Sequence, residues 1–373
     1  MAAILTIVPY KIFPAKVGGQ KGIALFNEYL AKETSLLCIS VKDNDPGQAK
    51  GYTLMNILSG SPFRYINPLY IFIIRKIIKQ QHITILLLEH PYYGWLGIML
   101  KWLTGVQLAV HSHNIEALRW KTLGKWWWPV LWQYEKMVHR AANYNFFIQD
   151  DDRALAIRKF KLSPAACTTI TYGIEWDTPP STAERLRCRT ALQHQHAIAD
   201  TEAILLFNGT LDYPPNLSAL KNILEKINPI LMSTGFAYKI IICGRGLPAV
   251  MNELKDFIGK NIIYAGFADD ITAYFKGADI FINPVIDGGG IKTKLVEALG
   301  YGTTSVSTIN GSIGVTKEDA GELLRITDND DWNEFSAEII RAFQSAKTAV
   351  PASFYKKFYW GNIAKKAAAF IHL

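Results

Sequence analysis

Short apolar runs alternate along the chain with longer stretches that have helical periodicity. The pattern predicts strands at residues 3–8, 35–41, 83–89, 107–110, 144–148 and 168–172, and again at 203–207, 238–243, 261–265, 279–283 and 304–308. Helices are predicted between most of these strands, for example at 20–32, 68–81 and 126–142. Strands that alternate with helices are typical of parallel sheets built from βα units. The predicted fold class is therefore α/β.

A polar stretch with consecutive prolines, residues 173–200, divides this pattern into two halves of similar architecture. The full length of 373 residues exceeds what one ordinary core accommodates. We therefore predict two Rossmann-like domains, at residues 1–175 and 180–350.

Composition supports a globular chain, with 49% hydrophobic and 19% charged residues. The four cysteines are widely spaced, which argues against a disulfide framework or a zinc site and suits a reducing cytoplasm. The N-terminal segment resembles a buried strand more than a signal peptide, and no apolar run reaches the ~18 residues of a spanning helix. These features predict a cytoplasmic protein.

The formal charge of +8 and the pI near 9.1 are compatible with nucleic acid, a membrane surface or a phosphorylated ligand. The basic residues are dispersed and no nucleic-acid-binding motif is present, so no nucleic acid partner is predicted. Residues 68–80 (PLYIFIIRKIIKQ) and 125–132 (KWWWPVLW) place large apolar side chains beside Lys or Arg. That mixture is typical of a membrane interface. Core helices that happen to contain aromatic residues are an equal alternative.

The strongest local signal is the segment 283–308, NPVIDGGGIKTKLVEALGYGTTSVST. A strand ends, three glycines follow, and a helix begins whose N-terminal N–H groups suit a phosphate. Lys292 and Lys294 add positive charge, and Glu297 could accept two hydroxyl hydrogen bonds, as from a ribose. The alternative is a plain turn in which Lys294 and Glu297 form a surface pair.

Two further loops of the first half follow predicted strands. Gly18 and Gly19 precede the first helix, where they permit a close backbone approach to a ligand or form an ordinary flexible turn. His111 and His113 follow the strand at 107–110, at the sheet edge where α/β proteins bind ligands. A structural role is the alternative for both histidines.

Two patterns point elsewhere but are weak. Gly244, Gly246 and Ala249 form a GxGxxA pattern typical of dinucleotide sites, yet it lies in the second half and is absent after the first strand. The run of aspartates at 150–152 invites a metal, but it begins a predicted helix, where acidic side chains cap the dipole. We predict no metal there and no cofactor.

Several segments together resemble a known family. The residues FNGTLDYPPN, IICGRG, YAGFADDITAYFKGADIFINPV and GGGIKTKLVEALGYGTTSVST are similar to the retaining glycosyltransferases of family 4, which have the GT-B fold. The resemblance implies two Rossmann-like domains that face each other across a cleft. It also implies a last helix, at 356–373, that returns to the first domain.

The resemblance implies a metal-independent, retaining transfer of a sugar from a nucleotide-diphosphate sugar, with UDP or GDP, to a glycan or lipid-linked acceptor. From the basic charge and the tryptophans at 125–132, we expect polysaccharide biosynthesis as a peripheral protein at the inner membrane face. Two alternatives stay open. One is a nucleotide-sugar epimerase with the GT-B fold, and the other is a non-catalytic partner of another transferase.

In that family a Glu-x7-Glu motif binds the donor, and its second position here is Glu297. The first falls on Gly289, so the backbone amides of Gly289, Gly290, Ile291 and Lys292 are expected to replace it. Many members also carry Arg and Lys after the strand equivalent to 203–207. This chain has Asn208, Gly209 and Thr210 there, and Lys292 with Lys294 are expected to supply the missing charge.

The resemblance implies roles for the remaining candidates. Arg245 would line the nucleotide pocket, and Gly18 and Gly19 would lie against the donor phosphates. His113, with His111 as the alternate, would hydrogen-bond the transferred sugar. Glu116 and Arg119, on the next turn, would meet the acceptor.

Overall fold

The computed structural model describes residues 3–15, 17–268, 270–346 and 348–372. The chain divides into two compact units. Unit 1 contains the residues up to Glu175 and those from Phe358 onward, and unit 2 spans Trp176–Lys357. Among the helices that the structure describes, none is long and apolar enough to cross a membrane.

Unit 1 is built on a parallel sheet of seven strands in the order β3-β2-β1-β4-β5-β6-β7. The strands are β1 Ala3–Ile7, β2 Ser35–Val41, β3 Thr53–Leu58, β4 Ile85–Glu89, β5 Gln107–Ser112, β6 Tyr144–Phe147 and β7 Cys167–Thr169. The helices between them are α1 Gly18–Leu30, α2 Leu69–Gln80, α3 Gly94–Thr104, α4 Glu116–Thr122, α5 Trp128–Ala141 and α6 Asp150–Ala156.

Unit 2 repeats the architecture with six parallel strands in the order β10-β9-β8-β11-β12-β13. The linker helix is α7 Thr182–His196, and the strands are β8 Ala203–Asn208, β9 Tyr238–Cys243, β10 Ile262–Gly266, β11 Ile280–Asn283, β12 Thr304–Thr308 and β13 Leu324–Thr327. The other helices are α8 Pro214–Asn222, α9 Asn228–Ser233, α10 Ile271–Gly277, α11 Thr293–Gly300, α12 Lys317–Ala320, α13 Trp332–Gln344 and α14 Ala352–Phe358. The last helix, α15 Trp360–Phe370, belongs to unit 1 and packs against α1.

The central strands of both sheets are buried on both faces, which explains why they are continuous apolar runs in the sequence. In unit 1 every residue of β4 is buried, and Leu86 and Leu88 belong to one core with Leu108 and Val110 of β5. In unit 2 Leu205, Ile240 and Ile280 occupy the corresponding core.

The α/β class predicted from periodicity is confirmed, whereas two edge strands, β3 and β13, were not predicted. Both lie at the margin of a sheet and mix polar with apolar residues, as in TLMNIL and LRIT. Edge strands are half-covered, so their sequences lack the continuous apolar character that marked the central strands.

In each sheet the strand order reverses once, between β1 and β4 in unit 1 and between β8 and β11 in unit 2. Loops that leave such a pair of strands diverge to opposite faces of the sheet. The divergence opens a crevice at the carboxyl ends of the strands, where open α/β sheets bind ligands.

Candidate active site

The crevice of unit 1 is centred on Glu89, the last residue of β4, whose side chain is buried. Its Oε2 lies 2.7 Å from His113 Nε2 and 3.1 Å from His111 Nδ1. Burial alone would raise the pKa of Glu89, but the electrostatic attraction of His111 and the hydrogen bonds of His111 and His113 outweigh burial and hold that pKa well below its usual range. Glu89 is therefore an ionised carboxylate between two imidazoles.

The hydrogen bonds of the two rings differ. His111 is buried, and its two ring nitrogens lie near two acceptors, the Glu89 carboxylate and, at 3.3 Å, the Ile170 carbonyl. Burial and the neighbouring histidines lower the pKa of His113 to about 4, so its ring is neutral at pH 7. Since Nε2 donates to Glu89, the Nδ1 of His113 carries a lone pair that can accept a hydrogen bond.

A third histidine, His90, completes the cluster. Its backbone, at φ 71° and ψ 152°, occupies a region that is almost restricted to glycine. Its ring stacks on that of His113 with centroids 4.4 Å apart, and its Nε2 lies 2.9 Å from the Tyr10 hydroxyl. Such strain persists only where the surroundings fix the residue, and it is typical of functional sites.

Two further carboxylates hold the next helix. Glu116 is fully buried, and it pairs with Arg119 Nη1 at 3.2 Å and lies 3.5 Å from His90 Nδ1. Glu135, also buried, accepts the backbone N–H groups of Glu116 and Ala117 at 2.9 and 2.8 Å, and thereby caps α4. Glu116 thus lies beneath the surface as a support for His90 and Arg119.

A cavity of about 690 Å³ opens beside this cluster. Its walls include Gly19, Arg119 and the aromatic rings of Tyr92, Trp120 and Trp127. Flat aromatic faces combined with a guanidinium provide both stacking surfaces and hydrogen-bond donors for a polar ring.

The crevice of unit 2 contains the glycine loop predicted from the sequence. Gly288 and Gly290 have φ values of 82° and 77°, which favour glycine. Lys292 Nζ donates to the Gly288 carbonyl at 2.6 Å and therefore lies over the loop. Burial lowers the pKa of Lys292 to about 8, against the opposite effect of Asp287.

The helix that follows this loop, α11, carries the Lys294–Glu297 pair, whose Nζ and Oε2 atoms are 2.9 Å apart. The pair is not a surface pair in the ordinary sense, because only 6% of the Glu297 side chain is exposed while Lys294 is 40% exposed. A buried carboxylate one turn into the helix can receive hydroxyl groups from a ligand over the loop.

The neighbouring loops after β8 and β9 lie against each other. A Cβ at Gly244 would come 1.9 Å from the Gly209 carbonyl oxygen, and Leu211 N donates to the Arg245 carbonyl at 2.8 Å. Gly209 in turn has no room for a side chain beside Asn216. Asn208–Thr210 and Arg245 thus border the same crevice as the glycine loop.

Comparison with known families decides the identity of this arrangement. Residues 36–177 match the family described as Glycosyltransferase Family 4, and residues 202–345 match Glycosyl transferases group 1. The two ranges fall in the two units and together take in most of the chain. The chain belongs to the family 4 glycosyltransferases.

Solved structures similar to this glycosyltransferase show its fold. Anabaena HepE in complex with UDP is 13% identical, covers 100% of both chains and has a TM-score of 0.75. Sucrose-phosphate synthase from Thermosynechococcus elongatus is 15% identical over 100% of this chain and 98% of its own, with a TM-score of 0.73. The lipopolysaccharide outer core galactosyltransferase WaaB is 13% identical over both full chains, with a TM-score of 0.67. The predicted GT-B fold is confirmed.

One similar sequence is an uncharacterized 44.6 kDa protein in the cps region of Klebsiella pneumoniae. It is 33% identical over 132 residues, which is 34% of each chain. The glycosyltransferase therefore matches about a third of the length of this relative.

The structure brings together most of the residues predicted for each half of the glycosyltransferase. His111, His113, Glu116 and Arg119 lie in the crevice of unit 1, where Gly18 and Gly19 begin α1. Gly209, Thr210, Arg245 and the segment from Gly289 to Glu297 lie in that of unit 2. The aspartates at 150–152 occupy the first turn of α6, and Asp150 accepts the Thr169 hydroxyl.

Sequence reasoning missed Glu89, His90, Tyr10 and Glu135. Glu89 and His90 are polar side chains that stand at the end of the apolar run of β4, whereas Glu135 lies among polar residues of α5. That position, a polar pair closing a buried strand, is the signal that would have identified Glu89 and His90.

Among the described residues, one group has side-chain donors close enough to share a metal ion. One atom each of Glu89, His111 and His113 lies within 4.8 Å of the others. The same atoms already satisfy one another by hydrogen bonding, so the cluster is complete as a proton-sharing network.

Proposed function

We propose that this glycosyltransferase moves a sugar from a nucleoside-diphosphate sugar to a glycan or lipid-linked acceptor. The observation that carries the proposal is the loop 288–292, where backbone N–H groups and Lys292 meet at the start of α11, one turn from the buried carboxylate of Glu297. Uridine is the first candidate for the base, because structures of the similar HepE contain UDP and UDP-glucose.

On this proposal Glu297 accepts the ribose hydroxyls, and the amides from Gly289 to Lys292 with the ammonium of Lys292 bind the diphosphate. Arg245 and the loop of Gly209 and Thr210 border the nucleotide, and Lys294 orients Glu297. The cations lie where negative charge develops on the leaving group, which is the arrangement that lowers a barrier of this kind. No metal ion is needed for that stabilisation.

In unit 1, the lone pair on His113 Nδ1 accepts a hydroxyl of the transferred sugar, and Glu89 and His111 fix the ring that carries it. The bond from the anomeric carbon to the diphosphate breaks first, and its electron pair leaves with the diphosphate. The acceptor oxygen then bonds on the same face, and its proton passes to the departing diphosphate. The anomeric configuration is retained. Arg119 and the aromatic walls of the cavity receive the acceptor.

Nucleotide binding tests the donor half of the proposal. We would measure thermal stabilisation by UDP, GDP, ADP and CMP and by their sugars, with EDTA present. Selective stabilisation by one diphosphate is expected, and it should be lost in Glu297→Gln. The matched control Glu318→Gln alters an exposed carboxylate and should bind as the wild type does. If no nucleotide gives a shift at millimolar concentration, the non-catalytic alternative replaces this proposal.

Product analysis separates transfer from epimerisation. The nucleotide sugar that stabilises the protein would be incubated with a panel of glycan and lipid-linked acceptors. NMR should then show a glycoside with the donor's anomeric configuration and one equivalent of free nucleoside diphosphate. A sugar altered at C2 without acceptor would identify an epimerase. Loss of turnover in EDTA, restored by a divalent cation, would contradict the metal-independent mechanism.

A further inference from the structure

Unit 1 exposes an unusual amount of apolar surface on one layer of helices. Of the 21 large hydrophobic side chains exposed among the described residues, 12 lie between Phe63 and Met137. They include Leu69 and Phe72 of α2, Trp102 of α3, Trp126 just before α5, and Val130 in its first turn. Trp102 and Trp126 are 81% and 84% exposed. We call this layer, the outward sides of α2, α3 and α5, the apolar face.

The helices of the apolar face form a continuous row, because α2 packs against α3 and α3 packs against α5. Contact between α3 and α5 is close, since a Cβ at Gly94 would lie 2.1 Å from Val138. Each helix also has an inner, buried side, with Ile74, Leu96 and Val138 in the core. Exposed residues such as Leu69, Phe72 and Ile73 recur at three- and four-residue spacing, so they share the opposite side.

The exposed charged side chains around the apolar face are all positive. Residues 61–149, all of which are described, contain ten Lys and Arg but only three acidic residues. Those three, Glu89, Glu116 and Glu135, are at most 1% exposed. The segment therefore presents exposed cations, such as Lys76 and Lys79 on α2 and Lys125 before α5, and no exposed carboxylate.

The imbalance belongs to unit 1 as a whole. Unit 1 contains 22 Lys and Arg against 11 Asp and Glu, whereas unit 2 contains 18 against 21. The formal charge of +8 thus conceals a basic unit and a slightly acidic one. A binding surface that selects negative charge would be confined to unit 1.

We propose that the apolar face binds the surface of a lipid bilayer that contains anionic headgroups. Tryptophan and aliphatic side chains enter the interfacial layer, and the surrounding Lys and Arg contact the lipid phosphates. Charge complementarity excludes the apolar face of a second copy as the occupant, because the same cations would meet across the contact with no exposed carboxylate of residues 61–149 to neutralise them. The exposed aliphatic residues between the cations have no partner on a nucleic acid.

The test is flotation of the purified full chain with vesicles, without any substrate. Binding is expected to vesicles of phosphatidylcholine with about a third phosphatidylglycerol, to weaken as salt shortens the screening length, and to be absent with phosphatidylcholine alone. Equal binding to the two vesicle types, or binding that salt leaves unchanged, would overturn the proposal.

Two variants locate the binding. Phe72→Ser with Trp102→Ser removes apolar contacts, and Lys76→Glu with Lys79→Glu reverses charge; each should weaken binding about tenfold. The matched controls in unit 2, Val250→Ser with Ile258→Ser and Lys226→Glu with Lys317→Glu, alter side chains of similar exposure and should bind as the wild type does. All substituted side chains are exposed, so thermal melts should stay the same.

Two outcomes would show that the apolar face is not the surface that binds lipid. If light scattering without vesicles shows that the wild type is a dimer and that the variant with Phe72→Ser and Trp102→Ser is a monomer, the apolar face is a contact between copies. Equal loss of flotation in the unit 2 controls would place the lipid contact elsewhere. Either result contradicts the proposal.

Discussion

The crevices of the two units occupy equivalent positions in similar sheets, but side chains line one of them and backbone lines the other. In unit 1 the crevice is built from ionisable side chains, with Glu89 buried against His111 and Glu116 buried against His90. In unit 2 it is built from backbone, where Gly244 and Gly209 touch and Gly288 supports Lys292. Fixed charges suit a site that must orient a reacting sugar, whereas exposed N–H groups suit an anion.

This difference determines which substitutions should disrupt each crevice. A network of buried ions depends on every member, since removing one leaves another charged and unpaired. A backbone crevice depends on close approach, so it should fail when an added carbon atom separates its loops. Substitutions of equal size should therefore have different effects in the two units.

The largest effect is expected from Glu89→Gln. The neutral amide replaces the buried carboxylate that is the partner of both His111 and His113, so unit 1 should lose about 3 kcal/mol of unfolding free energy. Transfer activity should fall about 100-fold as His113 loses its orientation. Urea denaturation and initial rates would measure the two effects. Glu33→Gln, at an exposed carboxylate of the same unit, should change neither.

A smaller effect, confined to unit 2, is expected from Gly244→Ala. The added carbon would lie 1.9 Å from the Gly209 oxygen, so the loops must separate at a cost of about 2 kcal/mol, and diphosphate binding should weaken. Calorimetric titration with the nucleotide that stabilises the wild type would measure the loss of affinity. Gly47→Ala in unit 1 is the control, because the nearest atom to its added carbon is Asp45 Oδ1 at 3.4 Å and its φ is not positive. Similar losses in both variants would contradict the backbone account.

The charge of Lys292 sharpens the comparison further, because it is the side-chain cation closest to the glycine loop. Its pKa of about 8 means that the ammonium is present below pH 8 and is lost above it. Diphosphate affinity should therefore fall as pH rises from 7 to 9. Lys292→Gln should bind about tenfold more weakly at pH 7 and show no such fall. Lys221→Gln, on the exposed side of α8, should keep the wild-type profile.

The last effect is absent at pH 7 and concerns the stability of unit 1 in acid. Burial lowers the pKa of His113 and of His139 to about 4, so both rings bind protons more readily in the unfolded chain, near pH 6.5. Their neutral forms contribute stability that is complete above pH 6.5 and is lost as the pH falls to 4, at about 1.4 kcal/mol per pH unit for each ring. His139→Asn should reduce that slope by one ring's share. An unchanged slope would assign the acid lability to other groups.

Periodicity and motifs predicted most of the fold and nearly all of the unit 2 crevice. The strand β2 and the strands β9 and β12 were predicted to the residue, because buried parallel strands are continuous apolar runs. The glycine loop was found because glycines, lysines and a glutamate adjoin in sequence. A crevice of this kind can be recognised from the sequence because its ligand-binding candidates are almost consecutive residues.

The crevice of unit 1 could be predicted only in part, since its members come from distant strands. His113 stood out as part of a motif, but Glu89 lies 24 residues earlier, and nothing in the sequence states that β4 and β5 are neighbours. The strained backbone of His90 has no sequence signature either, because glycine would be expected there. Pairing between strands, rather than composition, assembles this cluster.

The return of α15 to unit 1 has a consequence for synthesis. Trp360 is buried against Phe26 and Tyr172, yet the ribosome adds it only after all of unit 2. At about 5–20 residues per second, the nascent first unit waits on the order of ten seconds or more for the segment that covers α1. During that interval Phe26 and its neighbours are open to solvent. Unit 1 therefore cannot complete its core until translation has passed through the whole of unit 2.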